Sequence, residues 1–554
     1  MGIMLSAEVW TGASIAAISG RANAGEEGTA NHLLGPRRTG YTRQELPPPY
    51  HLVWSHKPIH KPRHAWHEPA WEVQRIDFDY AYAISSATGL VYYSSSSDHA
   101  VHALDLATGE TRWRYFTEGP VRLAPSVQDD RVYFSSDDGY VYCLEGRSGS
   151  LIWKHRPDIP DERLVGNNQV ISRHPARSGA LVDGDRAYTT FGMLSPEGIV
   201  ITCLNSQTGE VIWRNETSGT RYATQPHFEA MGGVSPQGYL ALCENVLVVP
   251  CGRATPAFFD SDTGELIYHE SEGLFPGGAW TMTFGNLAFT PCEYLQKPNP
   301  ELPSAKKAEI SDEATMVGLH AATGKEVFHL QGALRGVITD RGILNLIGRS
   351  KLISVALKDI LDRAPGGYQK KLGSSEGHFV DATAISRWET PVDRVFELIQ
   401  AGSTIIAGKR NGFACYDSNT GTLVWETKIP GDVYELLVVD DTLLVSTTEG
   451  EIRCYRSGNT NGLSTPSRDH LPDVRLDRIV ASDTTRRRVT TLLAAANVDQ
   501  GFGIALDMAN AETLAELARQ SQLTWICATK ASNATILRTR LADAGLQGTR
   551  VAVH

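Results

Sequence analysis

A chain of 554 residues, 41% hydrophobic and 21% charged, has the composition of a globular protein and the length for more than one structural unit. Its formal net charge of −11 argues against a nucleic-acid partner, because phosphates demand a basic surface. No apolar run approaches the roughly 20 residues that a membrane-crossing helix needs.

The first 24 residues are rich in small and apolar side chains, and Ala22-Asn23-Ala24 fits a small-x-small cleavage site. No basic segment precedes them, however, and Glu8 interrupts the apolar stretch. A cleaved signal and a retained leader therefore both stay open; an extracytoplasmic, periplasmic location is favoured, with the cytoplasm as the alternative. Next comes "YHLVWSHKPIHKPRHAWHEPAW", which holds His51, His56, His60, His64 and His67. Spacing of four would suit metal ligands on a helix, but Pro58 and Pro62 forbid a regular helix there. The stretch predicts an extended strap over the surface of the fold, with no metal.

From residue 103 onward one pattern recurs: "LDLATGETRW", "LEGRSGSLIW", "LNSQTGEVIW", "FDSDTGELIY", "LHAATGKEVF" and "YDSNTGTLVW". Its glycines are Gly109, Gly149, Gly209, Gly264, Gly324 and Gly421, each followed four residues later by Trp113, Trp153, Trp213, Tyr268, Phe328 and Trp425. Two weaker units complete the series. "SVALKDI" enters its turn at Lys358 and reaches its aromatic, Trp388, only after an insertion, and "IRCYRSG" ends without one.

Each part has a physical task. Alternating and β-branched segments before the motif read as strands. An Asp or Asn at turn entry accepts hydrogen bonds from the backbone just ahead, and glycine supplies a positive φ. The aromatic then falls on the next strand, where it can cover a neighbouring sheet. Repeats of roughly 40–60 residues, each giving a few short strands, mean sheets stacked radially. Eight units are present, the eighth lacking its last strand. "YHLVWSHKP", with Trp54 at the aromatic position, is the strand that would close the ring and remove both edges. The expected fold is mainly β: an eight-bladed propeller over 46–457, preceded by a leader (1–45). Cys143, Cys203, Cys415 and Cys454 occupy a slot that Ala103 and Ala356 also fill, which marks a small buried position.

D-x-x-T-G-x-x-x-W resembles the tryptophan-docking repeat of pyrroloquinoline-quinone (PQQ) dehydrogenases and of BamB-like propellers, and "GPRRTGYT" (35–42) resembles the leader of such bacterial proteins. The resemblance implies two alternatives: a quinone enzyme with PQQ and calcium, or a binding propeller without them. The enzymes usually carry an adjacent-cysteine disulfide, but the nearest pair here, Cys243 and Cys251, are eight apart, and no calcium-ligand set can be assigned. Arg122, Arg173 and Arg177 stand just ahead of strand-like segments, where innermost propeller strands begin. With Arg253 and Trp280 they form a candidate binding face on the central channel; pairing with acidic neighbours on the rim is the competing reading.

A polar linker (458–472) leads to a segment (473–554) of β-α-β-α-β order, which implies a small parallel, Rossmann-like sheet with crossover helices. It resembles the first half of a class I S-adenosylmethionine-dependent methyltransferase domain. The basic run Arg486-Arg487-Arg488 reads as a solvated helix face. Asp507 stands where the family places the acidic residue before its glycine loop, but Ala and Thr replace the glycines, and Lys530 stands where an acid should hold the ribose. That implies a degenerate site that does not bind the cofactor. The reading is thus a non-catalytic, monomeric propeller serving as a binding or assembly scaffold for a protein or a small ligand. The alternatives are a PQQ-dependent dehydrogenase and a methyltransferase fusion.

Overall fold

A computed structural model describes residues 28–66, 78–166, 169–224, 229–252, 254–269, 277–292, 315–348, 350–364, 368–372, 375–458, 468–470 and 479–554. The candidate cleavage site after Ala24, His67 and Arg253 lie outside them. Eight antiparallel sheets follow one another: blade 1 (84–116), blade 2 (126–155), blade 3 (181–215), blade 4 (241–268), blade 5 (282–331), blade 6 (335–391), blade 7 (395–428) and blade 8 (433–457). Blade 8 takes its outer strand, Tyr50–His56, from the N-terminal part of the chain, with Trp54 opposite Cys454.

The recurring motif explains the stacking. Asp105 Oδ1 accepts from the amides of Ala107 and Thr108, and Asp260 and Asp417 do the same two and three residues on. Gly109, Gly149, Gly209, Gly264, Gly324 and Gly421 all have φ between +66° and +77°. Each also lies under an aromatic of the preceding blade. A Cβ on Gly109 would stand 2.6 Å from the Trp54 ring, on Gly264 2.3 Å from Trp213, and on Gly421 2.4 Å from Trp388. Every indole in the set also donates to a carbonyl of the neighbouring turn: Trp54 to Leu106, Trp113 to Gly146, Trp153 to Ser206, Trp213 to Ser261 and Trp388 to Ser418, at 2.8–3.0 Å. A register shift beside most of these aromatics turns the side chain toward its neighbour.

Some units depart from the pattern. Phe328 is buried over Gly318 of its own blade. Trp425 faces a blade without the glycine turn and meets Tyr50 edge-on, centroids 5.3 Å apart. Lys358 corrects the expectation of a turn: it lies inside a helix, Leu357–Arg363, in the insertion of blade 6. The hairpin Tyr368–Leu372 with Ser375–Asp381 then pairs on the outer strand of blade 5 and covers that edge. Seven described cysteines are free and buried, as packing residues.

The C-terminal segment holds a parallel sheet of three strands, Phe502–Leu506, Thr524–Ala528 and Val551–Val553, side by side in chain order. Helices Ala511–Gln520 and Ala531–Asp543 make the crossovers, and Leu514, Leu517, Leu537 and Leu541 pack beneath them. Helix Asp483–Ala496 begins at Ser482, whose hydroxyl accepts from the Thr485 amide, and it exposes Arg486, Arg487 and Arg488. The segment sits against the propeller: Asp543 pairs with Arg114, Arg538 reaches Glu118, and His60 Nε2 donates to the Gly545 carbonyl.

Candidate functional site

The propeller axis is where ligands of such folds bind, and here the leader enters it. Ala30 exchanges two backbone hydrogen bonds with Ser86 on the inner strand of blade 1. Asn31 caps Val127 of blade 2. The carbonyls of Pro36, Arg37, Thr39 and Gly40 then accept from Leu242, Thr283, Ile338 and Gln400, on the inner strands of blades 4, 5, 6 and 7. Strand Tyr41–Thr42 finally pairs with Gln400 and Ala401. Residues 30–42 thus form a plug held by backbone groups at the ends of the inner strands.

Against the plug lies a small cavity of about 40 Å³ whose walls include His32, Trp280, Arg335, Glu397, Tyr434 and Glu435. His32 stacks on Tyr239, centroids 3.7 Å apart, and its Nδ1 stands 3.1 Å from Glu435. Burial first, and then Arg38, holds the His32 pKa down at about 3. Burial raises Glu435 well above the usual carboxylate range, with Arg38 opposing only in part, and takes Glu397 up to about 6. His32 and Glu435 thus face each other as a buried pair in which burial disfavours the charged form of both. The sequence held a signal for this pair that the motif reading passed over. Val395-Phe396-Glu397-Leu398 and Val433-Tyr434-Glu435-Leu436 place an acid at the same point of two successive, otherwise apolar inner strands.

The candidate channel residues separate. Trp280 lines the axial cavity with its Nε1 unbonded. Arg122 is buried between Asp79 and Asp137, both at 2.7 Å, and also donates to the Arg63 carbonyl. Arg177 grips both oxygens of Asp137 at 2.9 Å, under the ring of Trp66. Burial alone would raise Asp137, but the two guanidiniums prevail and keep its pKa below the ordinary value. Two arginines thus meet two aspartates, and the charges close on themselves. Arg173 lies on the surface in a pair with Glu162, outside the channel. Of the histidines, His51 and His56 belong to the outer strand of blade 8, and His60 and His64 follow on an extended strap. Among the described residues no cluster of His, Cys, Asp or Glu has the arrangement of a metal site.

PQQ is a planar tricyclic quinone with three carboxylates, whereas pockets for ligands of that size run to about 300–1,000 Å³. A cavity of about 40 Å³ holds roughly three waters. The residues present do not fit the quinone.

Eight sheets, with docked indoles at five of their seams, and a plugged axis define a propeller built from PQQ-like repeats. The chain belongs to the family described as outer membrane protein assembly factor BamB, whose profile matches residues 54–271 and 381–537. Tetrathionate hydrolase of Acidithiobacillus ferrooxidans is 32% identical over 111 residues, 18% of this chain and 22% of that protein. The dehydrogenase subunit of alcohol dehydrogenase (quinone) of Komagataeibacter europaeus is 25% identical over 138 residues, 22% of this chain and 18% of that protein. The chain therefore spans only about a fifth of these relatives. In structure, a europium-containing methanol dehydrogenase aligns with TM-score 0.51 and 12% identity, over 78% of this chain and 98% of that one. That likeness concerns the fold alone. Among the described residues no helix is long and apolar enough to cross a membrane.

Proposed function

We propose that this chain is a non-catalytic, monomeric, extracytoplasmic member of its family, whose propeller serves as a binding or assembly scaffold for a protein partner. The observation that carries this reading is the filled axis: a backbone-held plug, internally paired charges, and no room for the quinone. The family's description as an assembly factor supports it too. So does a rim of exposed apolar pairs on the outer strands of blades 2, 3 and 7, Leu151-Ile152, Val211-Ile212 and Leu423-Val424. The competing reading, a quinone-dependent alcohol dehydrogenase, has the Komagataeibacter relative in its favour. Protein incubated with PQQ and calcium, then assayed for alcohol or sugar oxidation with an artificial electron acceptor, is expected to show no turnover above the cofactor alone. Sustained turnover would overturn the scaffold reading.

The C-terminal segment we read as a methyltransferase-like half-domain with a degenerate cofactor site. Asp507 follows the first strand with a left-handed φ of +51°, without the glycines that would let a cofactor approach. The Asn510 side chain accepts from the amides of Glu512 and Thr513, which occupies the helix terminus a cofactor would need. Titrating S-adenosylmethionine into the full chain is expected to release no binding heat. Micromolar affinity would sink this reading.

A further inference from the structure

A second cavity, of about 490 Å³, lies where the C-terminal segment meets blades 1 and 8. Its size is that of a small-molecule site. Its walls come from parts of the chain far apart in sequence: the strap at 56–60, blade 1, His470, and the turn after helix Ala531–Asp543. We infer that this cavity binds an uncharged carbohydrate of one or two rings, held between propeller and C-terminal segment.

The charges in the wall set the class of ligand. Asp98 Oδ2 accepts from His102 Nε2 at 3.0 Å, and Arg114 pairs with Asp543. These four groups are matched, and Lys57, also in the wall, is exposed to solvent, so an anion inside would meet two carboxylates and a cation would compete with Arg114. A hydroxyl both donates and accepts, which suits a wall that alternates carboxylate with imidazole and guanidinium. The same wall offers apolar surface for the C–H faces of a sugar ring in the part-exposed Pro58 and Ile59, beside Tyr93 and His102, whose own ring faces stack on each other at 4.5 Å.

Hydrogen bonds are left unmade around this cavity, as they also are at Trp280 Nε1 and at both ring nitrogens of His269. Gln547, 1% exposed, has neither its Oε1 nor its Nε2 bonded, and His56 Nδ1 and Asp98 Oδ1 are likewise without partners. Each such buried group has lost its water on folding without gaining a partner in exchange. These atoms are closed to solvent in this conformation. A modest side-chain turn would bring them to a hydroxyl bound in the cavity. The amide of Gln547 needs an acceptor and a donor together, which again selects hydroxyl groups over a simple ion.

The inference is independent of the scaffold reading, and its test uses the full chain. Calorimetric titrations with glucose, maltose, sucrose and trehalose are compared with glucuronate and glucosamine as charged counterparts. At least one neutral sugar is expected to bind with Kd below about 1 mM, and its charged counterparts at least about tenfold more weakly. Asp98→Asn keeps the volume and should weaken binding about tenfold or more. Gln547→Leu removes an unsatisfied amide, so it should bind more weakly while its Tm holds or rises; this variant carries the test if Asp98→Asn folds poorly. Absence of heat with every neutral sugar, tighter binding of a charged one, or unchanged affinity in Gln547→Leu would overturn the proposal.

Discussion

Trp54→Ala is expected to destabilise the protein by about 3–5 kcal/mol, the cost of deleting a large buried aromatic. Trp54 is wholly buried, donates to the Leu106 carbonyl at 2.9 Å and covers Gly109 of blade 1. Trp213→Ala removes the same chemistry between blades 3 and 4, and its equilibrium cost should be similar. The consequence differs, because Trp54 sits on the one strand that joins the two ends of the ring. Its loss should release Tyr50–His56 from Ile452–Ser457 as a local opening, before the rest of the molecule unfolds. Hydrogen exchange is the measurement that separates the two variants. Faster exchange across 50–56 in Trp54→Ala, with that strand still protected in Trp213→Ala, is the expected pattern. A Trp54→Ala protein with full protection there and an unchanged Tm would mean that the seam is closed by something other than this indole.

That closure was legible in the sequence because it uses the same signal as the other seams, an aromatic at a fixed place on an outer strand. A repeat exposes itself when each copy must satisfy the same packing constraint, and a glycine under an indole admits no side chain. The plug obeys no such constraint. Pro36, Arg37, Thr39 and Gly40 bind through carbonyl oxygens that any residue possesses, so nothing in their side chains announces the contact. Arg122 and Arg177 were visible as arginines ahead of inner strands, but their partner Asp137 lies in a loop of blade 2, where it reads as an ordinary turn residue. Lys358 was misplaced because an insertion that forms its own helix erases the turn that the repeat would otherwise require. The cavity beneath the C-terminal segment brings His56, Asp98, His470 and Gln547 together, and no local pattern encodes a meeting of four distant segments.

Acid should unfold this protein early. Burial holds five imidazoles neutral: His32, His56 and His99 at about 3, and His269 and His554 at about 4, against an ordinary 6.5. A histidine whose pKa is depressed in the folded state contributes stability that is present above 6.5 and is lost as pH falls toward its folded value. Two buried carboxyls oppose this. Glu397, raised from 4.5 to about 6, and Glu435, raised further, contribute stability that is present below 4.5 and is lost as pH rises through their folded values. Between pH 6.5 and 4.5 the unfolded chain thus gains protons on five histidines that the folded one refuses, while the folded chain retains them on two carboxyls that the unfolded one releases. The imidazoles win, and stability falls with pH across that window. Below 4.5 the carboxyls no longer oppose the fall, and Asp98, lowered from 3.8 to about 2 because His102 outweighs its burial, adds a further loss below 3.8. Since one pKa unit is worth about 1.4 kcal/mol, a net imbalance of even two groups removes several kcal/mol by pH 4.5. Thermal melts from pH 7.5 to 4.5 at fixed ionic strength should therefore show Tm dropping steadily below pH 6.5. His99→Gln keeps a hydrogen-bonding group near Gln169 but cannot titrate, so its Tm should fall less steeply over the same range. A wild-type Tm that stays level down to pH 4.5 would show that these imidazoles are hydrated or paired in the folded protein.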